Sequence, residues 1–211
     1  MALEVELKYA ADEPAMNGLA TVDRLGPAEI GPARQVTEFD RYLDTADGRL
    51  AAASWACRLR ERGGGWRISL KGPAAAGTGG GLHRRPELEG PATQATDPRE
   101  WPPSEARDLV DRIRAGQPLD ERFALRQDRT ERPVNVDGSE IGTLSLDEIR
   151  VLADGTERGR MRAVELELHG SGHGDARGIL VELDRALRGV AGLRPDDRTK
   201  LEHALDLIGD R

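Results

Sequence analysis

At least six segments of this chain alternate apolar with charged residues, and in several of them the charged positions repeat one sign. Leu3, Val5 and Leu7 stand opposite Glu4, Glu6 and Lys8, and Val164, Leu166 and Leu168 opposite Glu165 and Glu167. Glu87 and Glu89 make a further acidic pair, while Arg58 and Arg60 flank Leu59 as a basic one. A period of two belongs to strands, whose side chains point alternately to the two faces. Like charges two residues apart on one face repel, so a merely solvated sheet gains nothing from them. A closed antiparallel barrel gives the pattern a reason, because helices can cover its apolar outside while the charged faces converge on a lumen. The alternation therefore predicts an α+β chain built on a closed barrel.

The remaining segments punctuate those strands. Pro14 to Leu25 carries helical spacing up to Gly26-Pro27, Val36 to Asp44 reads as a strand, and Gly48 to Ala53 as a short helical connection. Ala56 to Arg62 and Trp66 to Lys71 form a hairpin across Gly63-Gly64-Gly65. Pro73 to Gly81 is glycine-rich, without periodicity, and reads as a loop. A short strand holds Arg85, Glu87 and Glu89 on one face, and Ser104 caps a helix running to Ala115. Arg122 to Val136, Ile141 to Val151 and Met161 to His169 are strands joined by turns at Asp137-Gly138 and Asp154-Gly155. Asp175 to Val190 and Thr199 to Ile208 are amphipathic helices. With no repeat, heptad or linker, 1–211 is expected to form one domain.

Charge narrows the partners. There are 38 acids against 31 bases, a net charge of −7, whereas bulk attraction to nucleic acid or an anionic membrane needs the opposite sign. Any polyanion must then meet a local basic cluster. One cysteine, Cys57, excludes an internal disulfide and suits a reducing compartment. No run approaches the length of a membrane span, and no signal peptide precedes Glu4, so a cytoplasmic monomer or homodimer is expected.

Acids and bases sharing one small lumen suit a metal-chelated polyphosphate. Carboxylates hold hard divalent cations, and arginines grip phosphate with two parallel hydrogen bonds. An empty lumen of that kind would be strained electrostatically. The four histidines show no zinc-like spacing with Cys57, and the glycines of 77–81 lack a phosphate-loop lysine. Cys57 falls on the apolar side as packing, and Tyr42 could either approach a phosphate or pack the barrel.

The ordered series of motifs resembles the CYTH superfamily, the triphosphate tunnel metalloenzymes. Glu4-Val5-Glu6-Leu7-Lys8 is similar to the family's ExExK signature, and Tyr42-Leu43-Asp44-Thr45 to its YxDT strand. Arg58-Leu59-Arg60, Lys71 and Arg85-Pro86-Glu87-Leu88-Glu89 follow in family order. Asp147, Glu165-Leu166-Glu167 and Thr199-Lys200 match the later acidic and lysine positions. The resemblance implies an eight-stranded antiparallel tunnel with helices packed outside. Lys8, Arg58, Arg60, Lys71, Lys200 and either Arg126 or Arg129 would bind a triphosphate, with Arg85 completing the charge balance. Glu4, Glu6, Asp147, Glu165 and Glu167 would hold Mg2+ or Mn2+, and Glu4 and Glu6 would position the attacking water as the catalytic pair. The expected reaction is hydrolysis of inorganic tripolyphosphate, given how few aromatic residues could stack on an organic group, or of an organic triphosphate such as thiamine triphosphate. A class IV adenylate cyclase and a noncatalytic polyphosphate- or nucleotide-binding module are the alternatives. The cyclases' aromatic and histidine segment ahead of ExExK is absent here, and a binder would be expected to lose its metal acids.

Overall fold

The computed structural model describes residues 2–75, 79–169 and 176–209. Alternation becomes closure in it. Eight long strands are β1 (Ala2–Ala11), β4 (Arg34–Asp44), β5 (Ala56–Arg62), β6 (Gly65–Lys71), β7 (Leu82–Ala92), β8 (Asp120–Val136), β9 (Ser139–Ala153) and β10 (Thr156–Leu168). They pair antiparallel in the order β8-β4-β5-β6-β7-β1-β10-β9, and β9 returns to β8, so the barrel has no edge. The register puts Glu6 beside Glu167, Lys8 beside Glu165, Arg129 beside Asp147 and Asp40 beside Arg60. Glu4, Glu6, Lys8, Arg58, Arg60, Asp147 and Glu165 thereby share one interior face, whereas Glu89 is exposed.

The apolar faces are covered from outside. α1 (Glu13–Thr21) and α4 (Ala176–Arg188) pack with Leu7, Tyr9, Leu144 and Leu166. α2 (Arg49–Ala52) and α3 (Glu105–Arg114) lie over Cys57, Leu59, Ile68 and Leu70. Cys57 is buried there, and burial pushes its thiol pKa upward, so it stays an inert packing group. α5 (Lys200–Ile208) is different: it sits over one end of the barrel, setting Ala204, Leu201, Leu205 and Ile208 against Tyr42, Phe123, Leu125 and Ile149. That end of the lumen is apolar, and the charge begins below it.

Three local readings change. The helix after Asp12 stops at Thr21, and Arg24–Leu25 (β2) and Ala28–Ile30 (β3) form a small hairpin instead of continuing it. Gly26 turns that hairpin with φ +57°, and β3 pairs onto β8. Strand β7 begins at Leu82, earlier than its charged motif, because Leu7 and Leu82 are in register. Leu193–Pro195 (β11) adds to β1 beyond the β7 pairing. Residues 76–78 of the glycine-rich segment, and His173, lie outside the described residues. Among the described residues no helix is long and apolar enough to cross a membrane.

Candidate active site

β9 and β10 supply the first ionic group. Asp147 is fully buried and accepts from Arg129 through Nε at 2.6 Å and Nη2 at 2.7 Å, and from Lys200 Nζ at 2.6 Å. Glu165 shares the same cations, at 2.8 Å from Lys200 and 3.1 Å from Arg129. Burial works against ionising either acid, but Arg129 and Lys200 outweigh it; Asp147 lies below its ordinary pKa and Glu165 well below. Lys200 reaches this point because Thr199 caps α5: its hydroxyl accepts from the Glu202 N–H, and the Glu202 carboxylate accepts from the Thr199 N–H. Arg126 is exposed on the outer face of β8, so of the two candidate arginines Arg129 is the one in the lumen. The alternation decides it, since the odd residues of β8 face inward.

β1 and β7 supply the second group. Glu4 pairs with Lys71 and with Arg85 Nε at 3.0 Å, and Arg85 Nη2 reaches Glu6 at 2.9 Å. Burial raises the Glu4 carboxyl, yet Lys71 and Arg85 bring its pKa below the ordinary value. Glu6 goes the other way: burial and then Glu165 raise it. Solvent reaches Glu167, but partial burial and the charges of Glu4, Glu6 and Glu87 still push its pKa up to about 7. No ion pair or hydrogen bond partners Glu167 among the described residues. Glu89 stands exposed with Arg67 at 3.3 Å, away from the inner cluster.

Lys8 is buried, but its ammonium is taken by Asp196 at 2.8 Å and by the Arg198 carbonyl. Asp196 also receives His203 Nε2 at 2.8 Å, and its carbonyl faces His83 Nε2 at 2.7 Å. His83 and His203 thereby tie β7 and α5 to the segment that follows β11. Asp44 of the YLDT stretch accepts N–H groups of Thr45, Leu50 and Ala51, and so holds α2.

β4 adds two acids that the motif reading passed over. Glu38 and Asp40 are both 0% exposed. Arg60 grips Asp40 through Nε at 2.6 Å and Nη2 at 2.7 Å, and Glu38 through Nη2 at 2.9 Å. Arg62 bridges Glu38 at 3.1 Å and Glu131 at 2.6 Å, while Gln127 donates to Asp40 at 2.7 Å. The signal was present in Glu38-Phe39-Asp40-Arg41-Tyr42, an acidic alternation of the same kind as Glu4-Val5-Glu6.

Arg58 is held quite differently from Arg60. Its approaches are Asp40 at 3.7 Å, Glu87 at 3.9 Å and Ser69 at 3.4 Å, and among the described residues its buried Nε has no hydrogen-bond partner. It lines a cavity of about 460 Å³ between the barrel and α5. Six basic side chains face this space, Lys8, Arg58, Lys71, Arg85, Arg122 and Lys200, against the acids Asp44, Glu165 and Glu202. Trp55, Tyr42 and Phe123 form an apolar wall, the last two stacked at 4.7 Å. Gly72 is required beside it: a Cβ there would meet Pro86 at 2.7 Å and the Trp55 ring at 3.0 Å.

An implied divalent ion can be tested against these groups. Among the described residues no three acids or histidines already converge as a cage. Glu4, Glu6 and Glu167 nevertheless bring an all-oxygen donor set from adjoining strands, and burial first, then neighbouring carboxylates, raise the pKa values of Glu6 and Glu167. That donor set fits a hard cation. Both oxygens of Asp147 are engaged by Arg129 and Lys200, and both of Glu4 by Lys71 and Arg85, so of these acids, among the described residues, Glu167 and one oxygen of Glu6 are left without a hydrogen bond.

Comparison with known proteins agrees with this architecture. A candidate adenylyl cyclase of Hippeastrum, reported with a dominant triphosphatase activity, is 20% identical, covering 99% of this chain and 97% of its own, with a TM-score of 0.67. A candidate adenylate cyclase of Bacillus halodurans is 18% identical over 96% of this chain and 98% of its own, with a TM-score of 0.60. A protein of Pyrococcus horikoshii is 20% identical over 96% and 98%, with a TM-score of 0.58. At such identities the likeness speaks for the fold. Residues 2–194 match the CYTH domain, nearly the whole length, and the chain belongs to the CYTH domain family.

Proposed function

We propose that this protein is a cytoplasmic, divalent-metal-dependent hydrolase of small triphosphates, with inorganic tripolyphosphate as its first substrate. One observation carries the reading. Among the described residues the cavity presents six cations to three acids, and one of those cations, Arg58, has a buried N–H with no acceptor. A buried donor without an acceptor is costly, and a phosphate oxygen supplies the acceptor. Arg58, Lys71, Arg85 and Lys200 grip the phosphate chain, and Arg129 keeps Asp147 and Glu165 ionised around Lys200. Glu4, Glu6 and Glu167 would hold Mg2+ or Mn2+. Such an ion, when bound, neutralises phosphate oxygens and acidifies a water molecule. Glu4 and Glu6 position that water, and the Tyr42–Phe123 wall keeps bulk water away from the apolar end. The overall net charge of −7 supports a small molecule rather than nucleic acid as the partner.

A second reading is favoured by the same wall. Trp55, Tyr42 and Phe123 concentrate a large share of the chain's few aromatics beside the cations, which suits the organic group of a triphosphate ester. Phosphate release from tripolyphosphate, thiamine triphosphate, ATP and pyrophosphate, with magnesium, manganese or EDTA, separates these readings. Metal-dependent release from one triphosphate establishes the hydrolase. Cyclic AMP from ATP without orthophosphate would replace it with a cyclase, and binding without turnover would leave a binding module.

A further inference from the structure

Two arginines on one face of β5 would ordinarily be taken as equal phosphate ligands, yet their surroundings differ. Arg60 has its fork closed. Two hydrogen bonds, at 2.6 and 2.7 Å, run to Asp40 and an ion-pair contact of 2.9 Å runs to Glu38, both carboxylates that solvent does not reach. Drawing Arg60 toward a phosphate would strip Glu38 and Asp40 of their main partner inside the barrel, a large penalty for buried charge. Arg58 has its fork open, because among the described residues none of its polar contacts is shorter than 3.4 Å and its Nε has no partner. Arg58 lines the cavity and Arg60 does not.

Asp40 stands between the two. It accepts both edges of Arg60 and the Gln127 amide, and it faces Arg58 Nη1 at 3.7 Å. Glu38 ties Arg60 to Arg62 and lies 4.0 Å from Arg129. We infer that Asp40 and Glu38 are positioning residues of the anion site, which lock Arg60 as a strut so that Arg58 alone of the β5 pair meets the phosphate. Arg60 then acts through Asp40, and Asp40 through Arg58. Ser69 completes the seat, contacting Arg58 at 3.4 Å while donating to Glu87 at 2.6 Å.

This inference rests on the triphosphate reading above, and one experiment separates their failures. Tripolyphosphate hydrolysis and calorimetric binding of tripolyphosphate are measured for the wild type, Asp40→Asn, Arg58→Lys, Ser69→Ala and the double variant Asp40→Asn/Arg58→Lys. Asp40→Asn is expected to raise KM about tenfold with kcat changed far less, the scale of a lost hydrogen bond to a charged group. In the Arg58→Lys background the same change should add almost nothing, because the residue it acts through is already gone. Ser69→Ala, a milder variant, should raise KM in the same direction by a smaller factor. Additive effects of Asp40→Asn and Arg58→Lys overturn the inference, and so does an unchanged KM in both Asp40→Asn and Ser69→Ala. If Asp40→Asn fails to fold, the Ser69→Ala result decides alone. A wild type that neither binds nor hydrolyses tripolyphosphate sinks the triphosphate reading itself.

Discussion

Asp147 is surrounded by cations on two sides, and each of them has a second acid to serve. Arg129 bonds Asp147 and Glu165, and Lys200 bonds the same two. Removing either cation leaves buried carboxylate uncompensated, which costs more than the pair itself contributes. Arg129→Ala should therefore lower unfolding stability by about 3–5 kcal/mol, whereas Arg126→Ala, on the exposed face of β8, should stay within about 0.5 kcal/mol; urea titration of both variants checks the contrast. Glu167 makes the opposite argument. Its pKa is pushed up to about 7, so the folded state holds its proton more tightly than the unfolded chain does. A raised acid favours the fold below its ordinary pKa, and that contribution is lost as pH rises through about 7. In EDTA, the melting temperature of Glu167→Gln relative to wild type should rise between about pH 5 and about pH 8. With magnesium or manganese present the wild type should recover over the same range, and a pH-independent difference in both conditions would remove Glu167 from the metal set.

At the scale of elements, the strands were legible because a period of two survives in every one of them, and the turns because Asp137-Gly138 and Asp154-Gly155 announce themselves with positive φ at all four residues. The segment after Asp12 was not. Leu19, Leu25, Ala28 and Ile30 are all buried, a spacing that fits a helix followed by a turn as well as a helix and a hairpin. Only the pairing of Ile30 with Val134, far along the chain, decides between them. Strand β11 is three residues long and owes its form to Tyr9 and Ala11, which no local pattern reveals. Helix α5 was legible, and its capping box does more than start a helix, because the next residue is Lys200. Thr199→Ala should cost about 1 kcal/mol of stability, measured by chemical denaturation, and should also weaken tripolyphosphate binding as Lys200 loses its fixed origin. A stability loss with undiminished binding would show that Lys200 is held by Asp147 and Glu165 alone.

The whole molecule explains what single motifs could not. Glu4, Glu6, Arg58, Arg60, Lys71, Arg85, Asp147, Glu165 and Lys200 each announced a lumen position in the sequence, because family motifs and alternation agreed on them. Glu38 and Asp40 carried the alternation without a motif, and their meaning depends on closure, which sets β4 between β5 and β8 and gives Glu38 guanidiniums from both sides and Asp40 the Arg60 guanidinium from one and the Gln127 amide from the other. Conversely the tie of Lys8 to Asp196 needs β11 to run along β1, so no reading of ExExK alone could supply it. A barrel wired in this way should respond to its ligand as one body. Whatever binds only the folded state stabilises it by RT ln(1 + [L]/Kd), about 2.7 kcal/mol at a hundred times Kd. Tripolyphosphate alone should raise the melting temperature through the cationic wall, and magnesium should raise it further through Glu4, Glu6 and Glu167. In Glu6→Ala the first increment should persist and the second should vanish, along with metal-dependent turnover. Loss of both increments would mean that Glu6 supports the anion site by holding Arg85, and the carboxylates would then have to be reassigned from metal binding to the seating of cations.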